Sequence, residues 1–315
     1  MIMEWGYLLI LLSSIFLCVM CSVRKEYQCR ADATLKSTLT FMGISSLFLC
    51  LVGVVYCIAT QGTLFQRLDE FVLILSIVFA FILTANTCLC IFEAKYGSLA
   101  ILTMFATLGT LVISTIYGLI SDPIKNKLSI FNILGFVLAL VIIVLNFISE
   151  KRKETQTQEG QKTNSKIFII ICLAVFLLNG SALSVYSIFT TYRASYGGFN
   201  FIFLYSFFCV VLCALPLAIL FVVDKKKGRE FGVKKCVKGK ALVCTLIYGV
   251  TFFLSEFFSL ETTSLLPIVI QAPLSFAVSV IIVALADYLI YKQKMTKLEW
   301  LQIALAVVSG VFFAL

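Results

Sequence analysis

The sequence has no histidine, and only 13% of its 315 residues are charged. Without an imidazole there is no Ser–His or Cys–His catalytic pair, no histidine-bound metal and no histidine pH switch. A soluble domain carries about 25% charged residues. A chain this poor in charge and 61% hydrophobic cannot clothe a globule in polar groups, so lipid must be part of its solvent. A phosphate-cradling glycine loop is also missing, and no soluble nucleotide-binding domain interrupts the apolar runs. Both absences argue against an ATP-driven pump and against an enzyme of that kind.

What is present needs sorting. Ten of the twelve cysteines lie inside apolar runs, among them Cys88, Cys90, Cys209 and Cys213. There they act as small hydrophobes. Cys18-x-x-Cys21 has redox or metal spacing but sits in a hydrophobic run with no second pair, so it reads as helix packing. No metal site and no cofactor follow. The net charge of +9 is carried in short loops between apolar runs. Such loops report orientation, and nucleic acid is not an expected partner.

An apolar stretch of about 20 residues spans a bilayer as a helix. Ten are expected, at 3–23, 37–59, 70–92, 97–119, 128–148, 167–190, 198–223, 241–260, 265–289 and 298–315. The first lacks an amino-terminal basic residue and a small-x-small cleavage site, so it is expected to stay as a membrane helix rather than leave as a signal peptide. Only one connection looks like a linker. It is the polar stretch 150–166, EKRKETQTQEGQKTNSK, close to the centre of the chain. It separates a first unit, 1–149, from a second, 167–315.

Of the 25 Lys and Arg residues, 21 lie in the odd-numbered connections and four in the even ones. The positive-inside rule then places the odd connections in the cytoplasm and both termini outside a plasma membrane. Cys29 and Cys236, in the basic loops, would face a reducing compartment and form no disulfide.

Shifting the second unit by 167 residues brings the helix pattern into register with the first. Leu134 meets Leu301, Leu138 meets Leu305, Ala139 meets Ala306, Val141 meets Val308 and Ser14 meets Ser181. Five is odd, so two copies of a five-helix unit must cross the membrane in opposite senses. The expected fold is an all-α polytopic membrane protein of ten transmembrane helices, built as two inverted five-helix repeats.

Several short segments resemble those of a known family. They are the turn Lys95-Tyr96-Gly97-Ser98-Leu99, the stretches Asn126-Lys127-Leu128-Ser129-x-x-Asn132-x-x-Gly135 and Gln293-Lys294-Met295-Thr296-x-x-Glu299, and Leu266-Pro267-x-x-x-Gln271-x-Pro273. They are similar to the EamA-like branch of the drug/metabolite transporter superfamily. The family's turn glutamate is replaced by Asn126 and Gln293. Its better-known members keep both termini in the cytoplasm, whereas the charges here point the other way. The resemblance implies a permease or exporter that carries small metabolites or drug-like compounds through a central cavity.

Polar groups at membrane depth are costly, so they usually face the protein interior or a water-filled path. Glu4, Glu70, Glu93, Asp287 and Glu299 lie near helix ends and read as interfacial. Glu256 lies deeper, within Phe252-Phe253-Leu254-Ser255-Glu256-Phe257-Phe258. Aromatics on both sides would strip it of water, and a carboxyl group that exchanges protons near neutral pH can couple proton movement to transport. Gln271 lies between Pro267 and Pro273, where missing backbone donors would kink a helix beside a cavity. Asn179 and Tyr186 are seven apart and share a helix face. In Asn179-Gly180-Ser181 the small residues also suit close helix approach, with Asn as interhelical glue. Asn86 and Ser14 are weaker cavity candidates. The basic run 225–240 serves either anionic lipid heads or topology.

The expected function is a secondary transporter for a small molecule, working by alternating access and coupled to a proton through Glu256. A lipid-carrier, flippase-like or membrane-enzyme role would need a cluster of ionisable groups near the interface. A non-transporting scaffold would need no cavity at all.

Overall fold

The computed structural model describes residues 2–30, 34–60, 69–92, 99–122, 128–157, 165–228, 237–289 and 297–314. Among them there are ten α-helices and no strand. In order they are α1 (Ile2–Arg30), α2 (Leu35–Thr60), α3 (Glu70–Phe92), α4 (Leu99–Ser121), α5 (Ile130–Thr157), α6 (Ser165–Arg193), α7 (Gly198–Lys226), α8 (Lys240–Leu265), α9 (Ile268–Leu289) and α10 (Lys297–Ala314). Six of them, α1, α2, α3, α6, α7 and α8, are long and apolar enough to cross a membrane. The others carry shorter apolar stretches among the described residues: Leu108–Ser121, Ile130–Leu145, Ile268–Ser279 and Trp300–Phe313. This is a membrane-embedded helical protein. Leu51, Val55, Ile74, Phe81, Ile170, Leu215 and Ile219 are exposed on its outer surface, where a soluble protein would place charge.

Two boundaries differ from expectation. The polar stretch 150–166 is partly helical, since α5 runs on to Thr157 and α6 begins at Ser165. Glu, Lys and Arg are good helix formers, so the helix continues past its apolar part. The start of α9 is also displaced. α8 extends to Leu265, Pro267 lies between the two helices, and α9 begins at Ile268. Pro267 is therefore no kink inside a helix. Its missing donor costs nothing at a helix start, and its carbonyl accepts the amides of Ile270 (2.9 Å) and Gln271 (3.0 Å). Pro273 does lie inside α9.

Contacts between helices reveal their relative directions. Along α2, Lys36, Gly43 and Gly53 meet Asp224, Cys213 and Phe203 of α7, so these two helices are antiparallel. α5 and α10 are antiparallel too: Phe131 packs on Phe312, and the Ser309 hydroxyl donates to the carbonyl of Gly135 (2.9 Å). α3 and α6 run oppositely, pairing Phe71 with Tyr192, Phe79 with Tyr186 and Asn86 with Asn179. α4 runs parallel to α6, since Gly109 packs on Phe176 and Ile113 on Gly180. α1 runs parallel to α9, with Ile10 near Leu274 and Ser14 on Ser279.

The ends are distinct. At the end carrying the α1–α2 and α7–α8 connections, Lys36 of α2 pairs with buried Asp224 of α7. α7 stops there at Gly228, whose φ of 61° suits the left-handed residue that closes a helix. At the opposite end Tyr196 follows α6. Burial, and then the Asp69 carboxylate beside it, push its hydroxyl above the usual tyrosine range.

Candidate functional site

Among the buried polar side chains, three groups join one helix to another around α6, α8 and α1. The first is centred on α8. Thr245, Tyr248, Phe252, Ser255 and Thr262 are buried, whereas Val243, Ile247 and Val250 are exposed. Glu256 follows Tyr248 and Phe252 at helical spacing, so it lies on the buried face. It accepts a hydrogen bond from the hydroxyl of Tyr186 on α6, and it is half-buried rather than sealed. Phe79 of α3 packs against Tyr186 (ring centroids 4.7 Å apart) and against Tyr205 of α7 (4.8 Å). The Tyr205 hydroxyl is buried beside the same pair, next to the Tyr186 hydroxyl. Four helices thus converge on one carboxyl group. No ion pair reaches Glu256 among the described residues.

Access to this group differs on its two sides. Toward the Lys36–Asp224 end, buried aromatic rings pack one on the next. Tyr27 packs on Phe41 (4.3 Å), Phe41 on Tyr248 (4.5 Å) and Tyr248 on Phe252 (5.8 Å). All four are buried, and the Tyr27 hydroxyl donates to the Ser37 carbonyl (3.1 Å), next to Lys36. Phe199 and Phe257 lie toward the opposite end; both contact Phe253, beside Phe252, and all three keep accessible surface.

The second group is Asn86 and Asn179, whose amides exchange hydrogen bonds at 3.3 Å in both directions. Next to Asn179, α6 presses on α4. A Cβ on Gly109 would lie 2.0 Å from the Phe176 carbonyl oxygen, and one on Gly180 would lie 2.5 Å from that of Gly109. Only glycine permits this approach. In the third group Ser14 bonds to Ser279 (3.3 Å), while Ser13 and Ser255 each donate to the other's carbonyl (3.0 and 3.2 Å).

Gln271 is buried in the first turn of α9. Its amide nitrogen donates to the Ser259 carbonyl of α8 (2.9 Å), and its amide oxygen is unpartnered among the described residues. It thus ties α9 to α8 three residues beyond Glu256. Of the expected site residues, Glu256 and Tyr186 meet directly. Asn86 and Asn179 meet each other, and Ser14 stands apart on α1. Ser181 bonds back to its own helix at Leu177 (2.7 Å) and does not approach Ser14. The turn positions 95–98, 126–127 and 293–296, together with Glu93 and Cys236, lie outside the described residues, as do the side chains of Cys29, Asp287 and Glu299. Tyr205, Phe79 and the Lys36–Asp224 pair escaped the sequence reading. Helical periodicity assigns a residue to a face but never pairs it with a residue on another helix.

No family model and no curated protein matches this chain. Its fold does recur among solved structures. One, described only as "Crystal structure of protein", superposes with a TM-score of 0.70 at 14% identity, covering 96% of this chain and 94% of that one. At that identity the likeness concerns the fold alone.

Proposed function

We propose that this protein is a secondary transporter for a small metabolite or drug-like compound, working by alternating access of two inverted five-helix repeats and coupled to protons through Glu256. The observation that carries this reading is a partly buried glutamate on the interior face of a membrane helix, bonded to a tyrosine and, among the described residues, to no cation. Such a group is costly in lipid and is retained where a pathway needs it.

The ten-span inverted architecture has independent support in the helix directions. A 167-residue shift maps α1 onto α6, α2 onto α7 and α5 onto α10. Inversion requires that equivalent helices packed together be antiparallel, as α2 with α7 and α5 with α10 are. Equivalent contacts also recur at equivalent positions. The shift carries the Asn86–Asn179 pair to positions 253 and 12, within two residues of the Ser13–Ser255 pair. It carries Ser14–Ser279 to 181 and 112, beside the approach of Gly180 to Ile113.

In this reading the basic connections face the cytoplasm across a plasma membrane, with both termini outside. The aromatic column and the Lys36–Asp224 pair close the cytoplasmic side, and the partly accessible phenylalanines mark the way in from outside.

A thermal-shift screen of the purified protein against amino acids, nucleosides, sugars and amines at several pH values tests the proposal. A true substrate raises apparent stability by mass action. The expected result is a stabilisation that disappears in Glu256→Gln and weakens in Gln271→Ala. Silence across every class would move the weight to a scaffold.

A further inference from the structure

We infer that α7 and α8, at the ends joined by their basic connection, form a binding surface for anionic phospholipid headgroups. Lys226 and Lys240 meet the phosphate, and the acyl chains lie along the apolar faces of the same two helices. Three features of this surface point to that partner.

The first is the way two lipid-facing stripes end. On α7, Leu215, Ile219 and Val222 are exposed and share one helix face. Lys226, also exposed, is the next residue on that face. On α8, Val250, Ile247 and Val243 form an exposed stripe, and exposed Lys240 continues it to the start of the helix. Each stripe passes from apolar to cationic within one turn. Lys226 stands about 21 Å along the axis from Leu212, the middle residue of α7. The hydrocarbon core reaches only about 15 Å from its midplane. The ammonium group therefore lies among headgroups.

The second is uncompensated charge. Lys225, Lys227 and Lys238 are exposed as well, and none of these five lysines has an ion-pair partner among the described residues. Asp224, the acid that precedes them in the chain, is buried and turned to Lys36. The stretch 225–240 holds eight Lys or Arg and a single Glu. A cluster of roughly four to eight basic residues directly beside a membrane helix attracts anionic lipid.

The third is one-sidedness. Neither 198–224 nor 241–265 contains a Lys or Arg, so the far ends of the same two helices hold no cation, and Glu261 lies near the end of α8. A headgroup with net negative charge is matched at the lysine end alone. A zwitterionic headgroup brings its own ammonium, a like charge to these lysines. Directing insertion takes only the number of basic residues in a connection. It does not need two of them to close lipid-facing stripes.

The test is native mass spectrometry of the full-length protein released from nanodiscs of equal parts phosphatidylglycerol and phosphatidylcholine. Bound phosphatidylglycerol should exceed bound phosphatidylcholine at least about fivefold, the effect of roughly one well-placed lysine. Lys226→Gln combined with Lys240→Gln should bring the ratio near parity. That pair leaves six of the eight basic residues of the stretch in place, so the direction of insertion is kept. Lys226→Arg combined with Lys240→Arg keeps both charges and should keep the preference, which separates a lost contact from a damaged fold. Equal retention of the two lipids by the parent protein would overturn the inference. An undiminished preference in the glutamine pair would place the lipid elsewhere and overturn it too. Displacement of phosphatidylglycerol by an equal concentration of glycerol 1-phosphate would reveal a phosphate pocket instead of a lipid surface, with the same consequence.

Discussion

The contact of α1 with α8 and the contact of α6 with α3 are counterparts under the 167-residue shift, yet they are built differently. Ser13 and Ser255 reach each other's backbone carbonyls, so their helices approach closely. Asn86 and Asn179 meet amide to amide, a longer bridge between helices set further apart. The other pair of counterparts shows the reverse. α6 presses its backbone on α4 at Gly180 and Gly109, while α1 touches α9 through the Ser14 and Ser279 hydroxyls. At the position matching Gly109 stands Phe276. Within the transporter reading, α1 leans on α8 and α6 leans on α4. The opposite state would exchange these preferences, with α1 moving toward α9 and α6 toward α3. Unequal packing of equivalent helices is what two-state rocking requires.

A second asymmetry is chemical. The shift carries Tyr186 to Val19 and Glu256 to Leu89. One half holds a carboxyl–phenol pair and the other an apolar pair, so the chemistry belongs to one half even where the scaffold belongs to both.

The sharpest way to break this comparison is at the tight crossing. Gly109→Val should cost about 3 kcal/mol or more by overpacking against the Phe176 carbonyl, and should appear as lost monodisperse protein on size exclusion. Ser14→Ala at the looser counterpart should cost well under about 1 kcal/mol, in line with membrane hydrogen bonds averaging about 0.6 kcal/mol. Equal losses would erase the distinction between the two crossings.

Next in size is the end closed by Lys36 and Asp224. Lys36→Ala leaves a buried carboxylate without that partner, and should lower stability by about 1–3 kcal/mol, read from denaturation midpoints. Asp224→Ala alone should cost less, because the half-exposed lysine can turn to water. Labels on α2 and α7 near this end should separate more in Lys36→Ala than in the parent protein. Unchanged distances would show that the pair does not hold this side shut. Smaller still, Asn86→Ala and Ser13→Ala should each cost about 0.6–1 kcal/mol in thermal unfolding. In the parent protein, saturating ligand should alter the α6–α3 and α1–α8 distances in opposite directions.

The helices themselves were legible because a bilayer demands long apolar runs: each expected stretch holds one of the ten helices with its ends adjusted, and six of these are long and apolar enough to cross a membrane. The junction of α8 and α9 was not. A proline reads the same in a kink as at a helix start, and only the backbone places Pro267 between helices. Glu256 stood out because a charge among phenylalanines breaks the apolar pattern. Its partner Tyr186 stood out only by sharing a face with Asn179, since tyrosine is ordinary in membrane helices. Tyr205 was invisible for the same reason, and only the fold sets its hydroxyl beside the Tyr186–Glu256 pair. Lys36 and Asp224 are 188 residues apart, and nothing local joins them.

The most direct test of the central claim is flux in proteoliposomes with a pH dye trapped inside. An imposed gradient of the compound that the thermal screen identifies should drive counter-movement of protons in the parent protein. In Glu256→Gln, reconstituted to the same density and equally monodisperse, proton movement should vanish. If that variant moves substrate and protons at the parent rate, Glu256 is not in the pathway and the account is wrong.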